Sequence, residues 1–167
     1  MDTNDLEAAL GLPFESPAVQ HLANEFGLKA VPSAKKDDPD AYLVANPLGV
    51  GLKFVDNDYI ERKSVVRYGN APMIFVAATL YSGRQSNDPS KRKFGGALPA
   101  GTTFDDSVES LVRKLGDPTS IYEDEGVIYT RVWHRGPSRI AFKYNAAGIL
   151  QFVQVNWDVY MKRMTED

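Results

Sequence analysis

The chain has 167 residues, 43% hydrophobic and 25% charged, which is ordinary globular usage and excludes wholesale disorder. Its formal net charge of −3 excludes the strongly basic balance that phosphate-backbone binding requires, so no nucleic acid partner is expected. It has no cysteines, which removes disulfides, thiolate catalysis and Cys-based zinc sites.

The opening Met1-Asp2-Thr3-Asn4-Asp5 has neither a basic n-region nor an apolar h-region. The longest strongly apolar run, Met73 to Leu80, is far shorter than the roughly 20 residues of a membrane span. The expectation is a cytoplasmic protein with no membrane span, or a periplasmic one whose signal peptide has been removed. Asp5 to Leu10 can add a helical turn or two. Ser16-Pro17 then marks a helix start, with Val19, Leu22 and Phe26 on one stripe and Gly27 at the C-terminal cap.

Pro32 to Asp40 reads as a loop. Ala41 to Asn46 and Val50 to Val55 read as strands around the turn Asn46-Pro47-Leu48-Gly49. Asp56-Asn57-Asp58 is a tight turn signal. Tyr59 to Tyr68 and Met73 to Tyr81 read as two more strands, and Ser82 to Gly96, with the basic tuft Lys91-Arg92-Lys93, as a long exposed loop. The pattern then restarts. Phe104 leads into Asp105-Asp106-Ser107, a helix start with acidic residues at the positive end of the dipole. Val108, Leu111 and Leu115 form its stripe, Gly116 and Pro118 end it, and three strands follow: Val127 to His134, Arg139 to Tyr144 and Leu150 to Asn156.

Val19 to Val108 and Leu22 to Leu111 are the same 89 residues apart, and each helix follows a Phe lead-in and precedes an antiparallel meander. The expected fold is therefore α+β, two tandem helix-then-antiparallel-sheet halves with the helices packed on one face of the sheet. Residues 1–81 form the first half, 82–97 a linker and 98–167 the second half, together one compact domain.

Candidate chemistry is sparse. His21 and His134, the two histidines, lack acidic or His partners at zinc-ligand spacing. Asp56-x-Asp58-x-x-Glu61 has Glu and Arg where a calcium loop needs Gly and Glu. Gly96 to Thr103 has the spacing of a phosphate loop but Thr102 in place of its lysine. Asp105-Asp106 suits a helix start, and Glu123-Asp124-Glu125 a solvated turn, better than either suits an acid–base pair. No catalytic residue, metal or cofactor is expected. Alternation puts Tyr129, Arg131 and Trp133 on one face of their strand, and a sheet covered by helices on one side leaves its other face open. Exposed Tyr, Trp and Arg anchor protein interfaces.

Leu115-Gly116-Asp117-Pro118, between an amphipathic helix and a strand containing Val132-Trp133, resembles the repeat unit of the SmpA-type outer-membrane assembly lipoproteins. That unit also occurs in tandem in the β-lactamase inhibitory protein family. The resemblance covers residues 98–157 well and 10–81 loosely, and the chain lacks the lipobox cysteine. Leu10-Gly11-Leu12-Pro13-Phe14-Glu15-Ser16-Pro17-Ala18-Val19-Gln20 and Gly96 to Ser107 are similar to immunity-type proteins encoded beside secreted bacterial toxins. The resemblance implies a non-enzymatic protein, monomer or homodimer, that neutralises a cognate toxin by steric occlusion. Alternatives are a scaffolding module for endogenous proteins and a small carboxylate-dependent hydrolase. The expected contact surface joins Tyr59, Tyr129, Arg131, Trp133 and Trp157 to the acidic turns Asp56, Asp58, Glu123, Asp124 and Glu125, facing a toxin with a basic surface.

Overall fold

A computed structural model describes residues 3–64, 67–84, 90 and 92–165. Helix α1 spans Thr3–Ala9 and α2 spans Pro17–Glu25. The Ser16 hydroxyl caps α2 by accepting from the Val19 amide at 3.4 Å, and Pro17 occupies a first-turn position whose N–H would otherwise lack a partner. Strands β1 (Asp40–Ala45), β2 (Val50–Asp56) and β3 (Met73–Tyr81) form a first meander. After α4 (Val108–Leu115), capped by Ser107, come β4 (Ser120–Asp124), β5 (Val127–Arg135), β6 (Ser138–Tyr144) and β7 (Leu150–Trp157), a second meander. The two join edge to edge, β3 pairing with β7 from Ala77 opposite Asn156 to Tyr81 opposite Phe152. One antiparallel sheet results, in the order β1-β2-β3-β7-β6-β5-β4.

Several sequence expectations change. The described residues of Tyr59 to Tyr68 form no strand. The Asp56 carboxylate accepts from the Asp58 amide at 2.9 Å and starts the one-turn helix α3 (Asn57–Ile60) instead, while residues 65–66 lie outside the described residues. The strand β4 and the C-terminal helix α5 (Asp158–Thr165) are additional elements. The segment after Tyr81 is not simply an exposed linker. The Phe94 amide donates to the Tyr81 carbonyl at 2.8 Å, and its ring is buried 6.4 Å from that of Phe26. Gly49 makes this docking possible: at φ +66° a Cβ there would lie 2.2 Å from the Arg92 carbonyl oxygen. Of the basic tuft, Lys91 lies outside the described residues, and Lys93 sits 3.7 Å from Asp105.

Helices α1, α2 and α4 cover one face of the sheet. The main core lies between them and draws on both meanders: Leu52, Phe54 and Phe75 from the first, Trp133, Ile140, Phe142 and Val153 from the second. Burying each such side chain stabilises the fold by about 1.5–3 kcal/mol. Contrary to the expectation of helices on one face only, α3 and α5 lie on the other. Tyr160 of α5 packs with Val55, Ile74, Val76 and Ala77, flanked by Tyr59, Ile60 and Met161. Arg139, which points to that side, holds Asp158 at the start of α5 and so fixes the helix there. This second cluster covers one end of the face and leaves the rest open. No helix among the described residues is long and apolar enough to cross a membrane.

Candidate functional site

Period-two alternation decides what the open face carries. From β1 and β2 come Tyr42, Val44 and Lys53; from β3, Thr79 and Tyr81; from β7, Phe152, Gln154 and Asn156. The second meander adds Arg139, Ala141 and Lys143 of β6, then Thr130, Val132 and His134 of β5. These side chains bound two grooves. The larger, about 410 Å³, runs over β4 to β7 and is closed at one end by Met161 of α5. The smaller, about 300 Å³, runs over β1 to β3 and β7. Gln154 belongs to both, so the grooves are two parts of one surface.

Lys53 sits at the centre of a polar cluster. Its ammonium donates to Tyr160 Oη at 2.7 Å, pairs with Asp40 at 2.6 Å, and stands 5.4 Å and 5.0 Å from the ring centroids of Tyr42 and Tyr160. Burial alone would pull its pKa down. The bonds to Asp40 and Tyr160 outweigh that and hold it well above the usual lysine range. For Tyr160, burial dominates and pushes the phenol up. Asp158 is also partly buried, yet its bonds from Lys162, at 2.7 Å, and Arg139 outweigh desolvation and hold its carboxyl below the usual range.

Other side chains on this face have no partner among the described residues. Lys143 makes no ion pair or side-chain hydrogen bond with any described residue. The Asn156 amide and the Thr130 hydroxyl, on residues 6% and 7% exposed, line the larger groove and likewise bond to no described side chain or backbone group.

The expected contact residues do not gather on this surface. Trp133 is 2% exposed: its indole N–H donates to the Gly116 carbonyl at 2.9 Å and its ring meets Phe142 edge-on at 5.4 Å. It is a core residue and cannot anchor a partner. Arg131 and Tyr129 share its side of β5, because Arg131 stands opposite Phe142 and Trp133 opposite Ile140. Arg131 lies 5.2 Å over the Tyr144 ring, and Tyr129 is partly exposed. Trp157 is half-buried against Gly11, where a Cβ would come within 2.7 Å of the indole. Asp56 is fully buried, accepting from the amides of Asp58 and Gly69, so it presents no charge to a partner. Asp58 pairs with Lys63 at 3.1 Å, and Tyr59 packs under Arg163 and against Tyr68. Glu123, Asp124 and Glu125 are exposed at the β4–β5 turn. Asp58 and that turn lie at opposite ends of strands roughly 24 Å apart across the sheet, at about 4.8 Å per strand spacing, so they form no common acidic surface.

The phosphate-loop-like segment holds a 3₁₀ turn at Pro99–Gly101. The nearby Lys114 bonds to the Gly101 carbonyl at 2.9 Å and to Asp106 at 2.8 Å, so it is already occupied. Asp105 pairs with Arg84. His21 is exposed on α2, 3.7 Å from Glu25. Among the described residues, no group of three or more His, Cys, Asp or Glu is placed to hold a metal.

No protein-family model and no curated protein matches the chain. One solved structure is similar at TM-score 0.42. It is a DUF4309 family protein (YjgB) from Bacillus subtilis subsp. subtilis str. 168, 16% identical, with the match covering 83% of this chain and 77% of that one. A likeness of that depth carries no function across.

Apart from Val132 and His134, the residues that build the open face were not singled out in the sequence. Their signal was present as the complement of a recognised pattern. Ile140, Phe142 and Tyr144 mark the core side of β6, which leaves Arg139, Ala141 and Lys143 to the other, and Val153 and Val155 do the same for Gln154 and Asn156.

Proposed function

We propose that this protein works by binding another protein on the open face of its sheet, and that the partner is a cognate bacterial toxin whose working surface it covers. The observation that carries the binding reading is the open face itself. It joins two grooves through Gln154, carries exposed or half-buried Tyr42, Tyr81, Tyr122 and Phe152, and has polar side chains with no partner among the described residues. Aromatic anchors beside such groups suit a specific interface, which typically buries about 1,600 Å² in total. The toxin as partner rests on the resemblance of Leu10 to Gln20 and Gly96 to Ser107 to immunity-type proteins. The two meanders are further read as halves of a duplication. In support, Ser16 and Ser107 cap their helices in the same way, each helix precedes a meander, and the two last strands meet at the centre of the sheet.

Affinity capture from native cells tests both parts. Gln154→Trp fills both grooves and is expected to abolish capture of the partner, while Glu25→Trp on the exposed side of α2 leaves it intact. The captured protein, expressed alone, is expected to stop growth, and co-expression of the wild-type chain to restore it. Binding that survives Gln154→Trp would remove the open face from the reading. Capture of a harmless housekeeping complex would replace the toxin with a scaffolding role.

A further inference from the structure

We infer that the larger groove receives an acidic segment of the partner, an extended stretch that places a carboxylate against Lys143 and Thr130 and an apolar side chain between Val132 and Ala141. This rests on the reading of the open face as the contact surface, and it reverses the sign of the charge expected there. The chain as a whole is acidic, yet every charged residue lining the two grooves is a cation: Lys53, Arg139 and Lys143. Neither groove is lined by an Asp or a Glu. Asp40 compensates Lys53, and Asp158 compensates Arg139. Lys143 has no such counter-charge among the described residues, so an incoming carboxylate meets an ammonium that gives up no internal ion pair.

The register sets the spacing of the groups. Thr130 stands directly opposite Lys143 across the β5–β6 ladder, so a hydroxyl and an ammonium converge at one end of the groove. Arg139 stands opposite Asn156 across the β6–β7 ladder, which places the Asn156 amide at the other end. Four residue steps along β6 separate the two ends, roughly 14 Å at about 3.4 Å per residue. Ala141 lies midway, with Val132 and Gln154 as its cross-strand neighbours. An extended peptide has the same repeat, so its residues i, i+2 and i+4 fall on the three positions in turn: a carboxylate, an apolar side chain, then a group that pairs with an amide. The Asn156 amide and the Thr130 hydroxyl, which line the groove on residues 6% and 7% exposed and bond to no described group, are the polar groups that such a segment would engage.

The probe is a capped pentapeptide of sequence Glu-Ser-Val-Ser-Asn, titrated into the isotopically labelled full chain and followed by amide chemical shifts up to about 10 mM, a range that reaches weak millimolar complexes. The expected result is saturable shifts at Thr130, Ala141, Lys143, Gln154 and Asn156. The same peptide with Lys in place of Glu should give none, and Lys143→Glu should weaken binding at least fivefold. Thr130→Val and Asn156→Leu are each expected to weaken it about threefold to tenfold without lowering the unfolding midpoint, because neither removes an internal bond. Equal shifts with the lysine peptide, or no shifts at these amides with the acidic one, would overturn the inference. The captured partner separates this failure from that of the broader reading. A partner lost on Gln154→Trp but bound normally by Lys143→Glu keeps the open face and discards the acidic segment. A partner indifferent to Gln154→Trp discards both.

Discussion

On the helix-covered face of the sheet, apolar groups are packed: the Trp133 indole N–H meets a carbonyl, its ring meets Phe142, and Phe54 lies between Phe14 and Phe75 at 5.6 Å from each; the buried Tyr144 hydroxyl is an exception, with no hydrogen-bond partner among the described residues. Across the same backbone, one residue further along each strand, Lys143, Asn156 and Thr130 have no partner among the described residues. The two sets interleave in sequence, so composition does not separate them. Parity and pairing register do. The covered face carries the stability and the open face carries groups available to something outside the molecule.

The sharpest way to break this contrast is Trp133→Ala. If the indole is a core residue, its loss costs about 3–5 kcal/mol in a denaturant titration. A loss below about 1 kcal/mol would put the ring back among contact residues. Smaller effects belong at the margin where α5 crosses the open face. Asp158→Asn is expected to cost about 1–3 kcal/mol by weakening its bonds to Arg139 and Lys162, both made to a carboxylate that is mostly buried. Its sign with pH follows from a folded pKa depressed below the unfolded value of about 3.9. The stabilisation is present above that value and is lost as pH falls through the folded pKa. The melting temperature of the wild type should therefore drop more steeply than that of Asp158→Asn below about pH 4. Least of all, Tyr122→Ser on the exposed edge should change stability by about 0.5 kcal/mol or less. A larger change would mean that the open edge is part of the core.

Local chemistry made much of the fold legible. Ser16-Pro17 and Ser107 start α2 and α4, and alternation with Gly and Pro turns locates β2, β3 and β5 to β7 within a residue or two. The strand β4 escaped because an outer strand with nothing packed on it shows no apolar alternation. Ile121 and Tyr122, on opposite sides of it, are both exposed. Tyr59 and Ile60 are good strand formers, but a single carboxylate bond from Asp56 turns the chain into α3. For α5 a signal existed, acidic Asp158 in its first turn and Lys162 and Arg163 in its last. The contact surface failed for a different reason. Alternation groups Tyr129, Arg131 and Trp133 correctly, but only the ladder to Ile140 and Phe142 says on which side of the sheet they fall, and that pairing is tertiary information.

The seam between β3 and β7 also governs how the chain must be made. Its partners, Ala77 and Asn156 among them, are about half the molecule apart along the polypeptide, whereas the other ladders join consecutive strands. During synthesis the first meander leaves the ribosome long before β7 exists, and Met73–Tyr81, the most apolar strand, must wait with one side of its backbone unmatched. That interval is the molecule's period of greatest hazard. Slowing the synthesis of β7 would lengthen it, and would send more of the nascent product into aggregates or onto chaperones without altering a single contact of the finished fold.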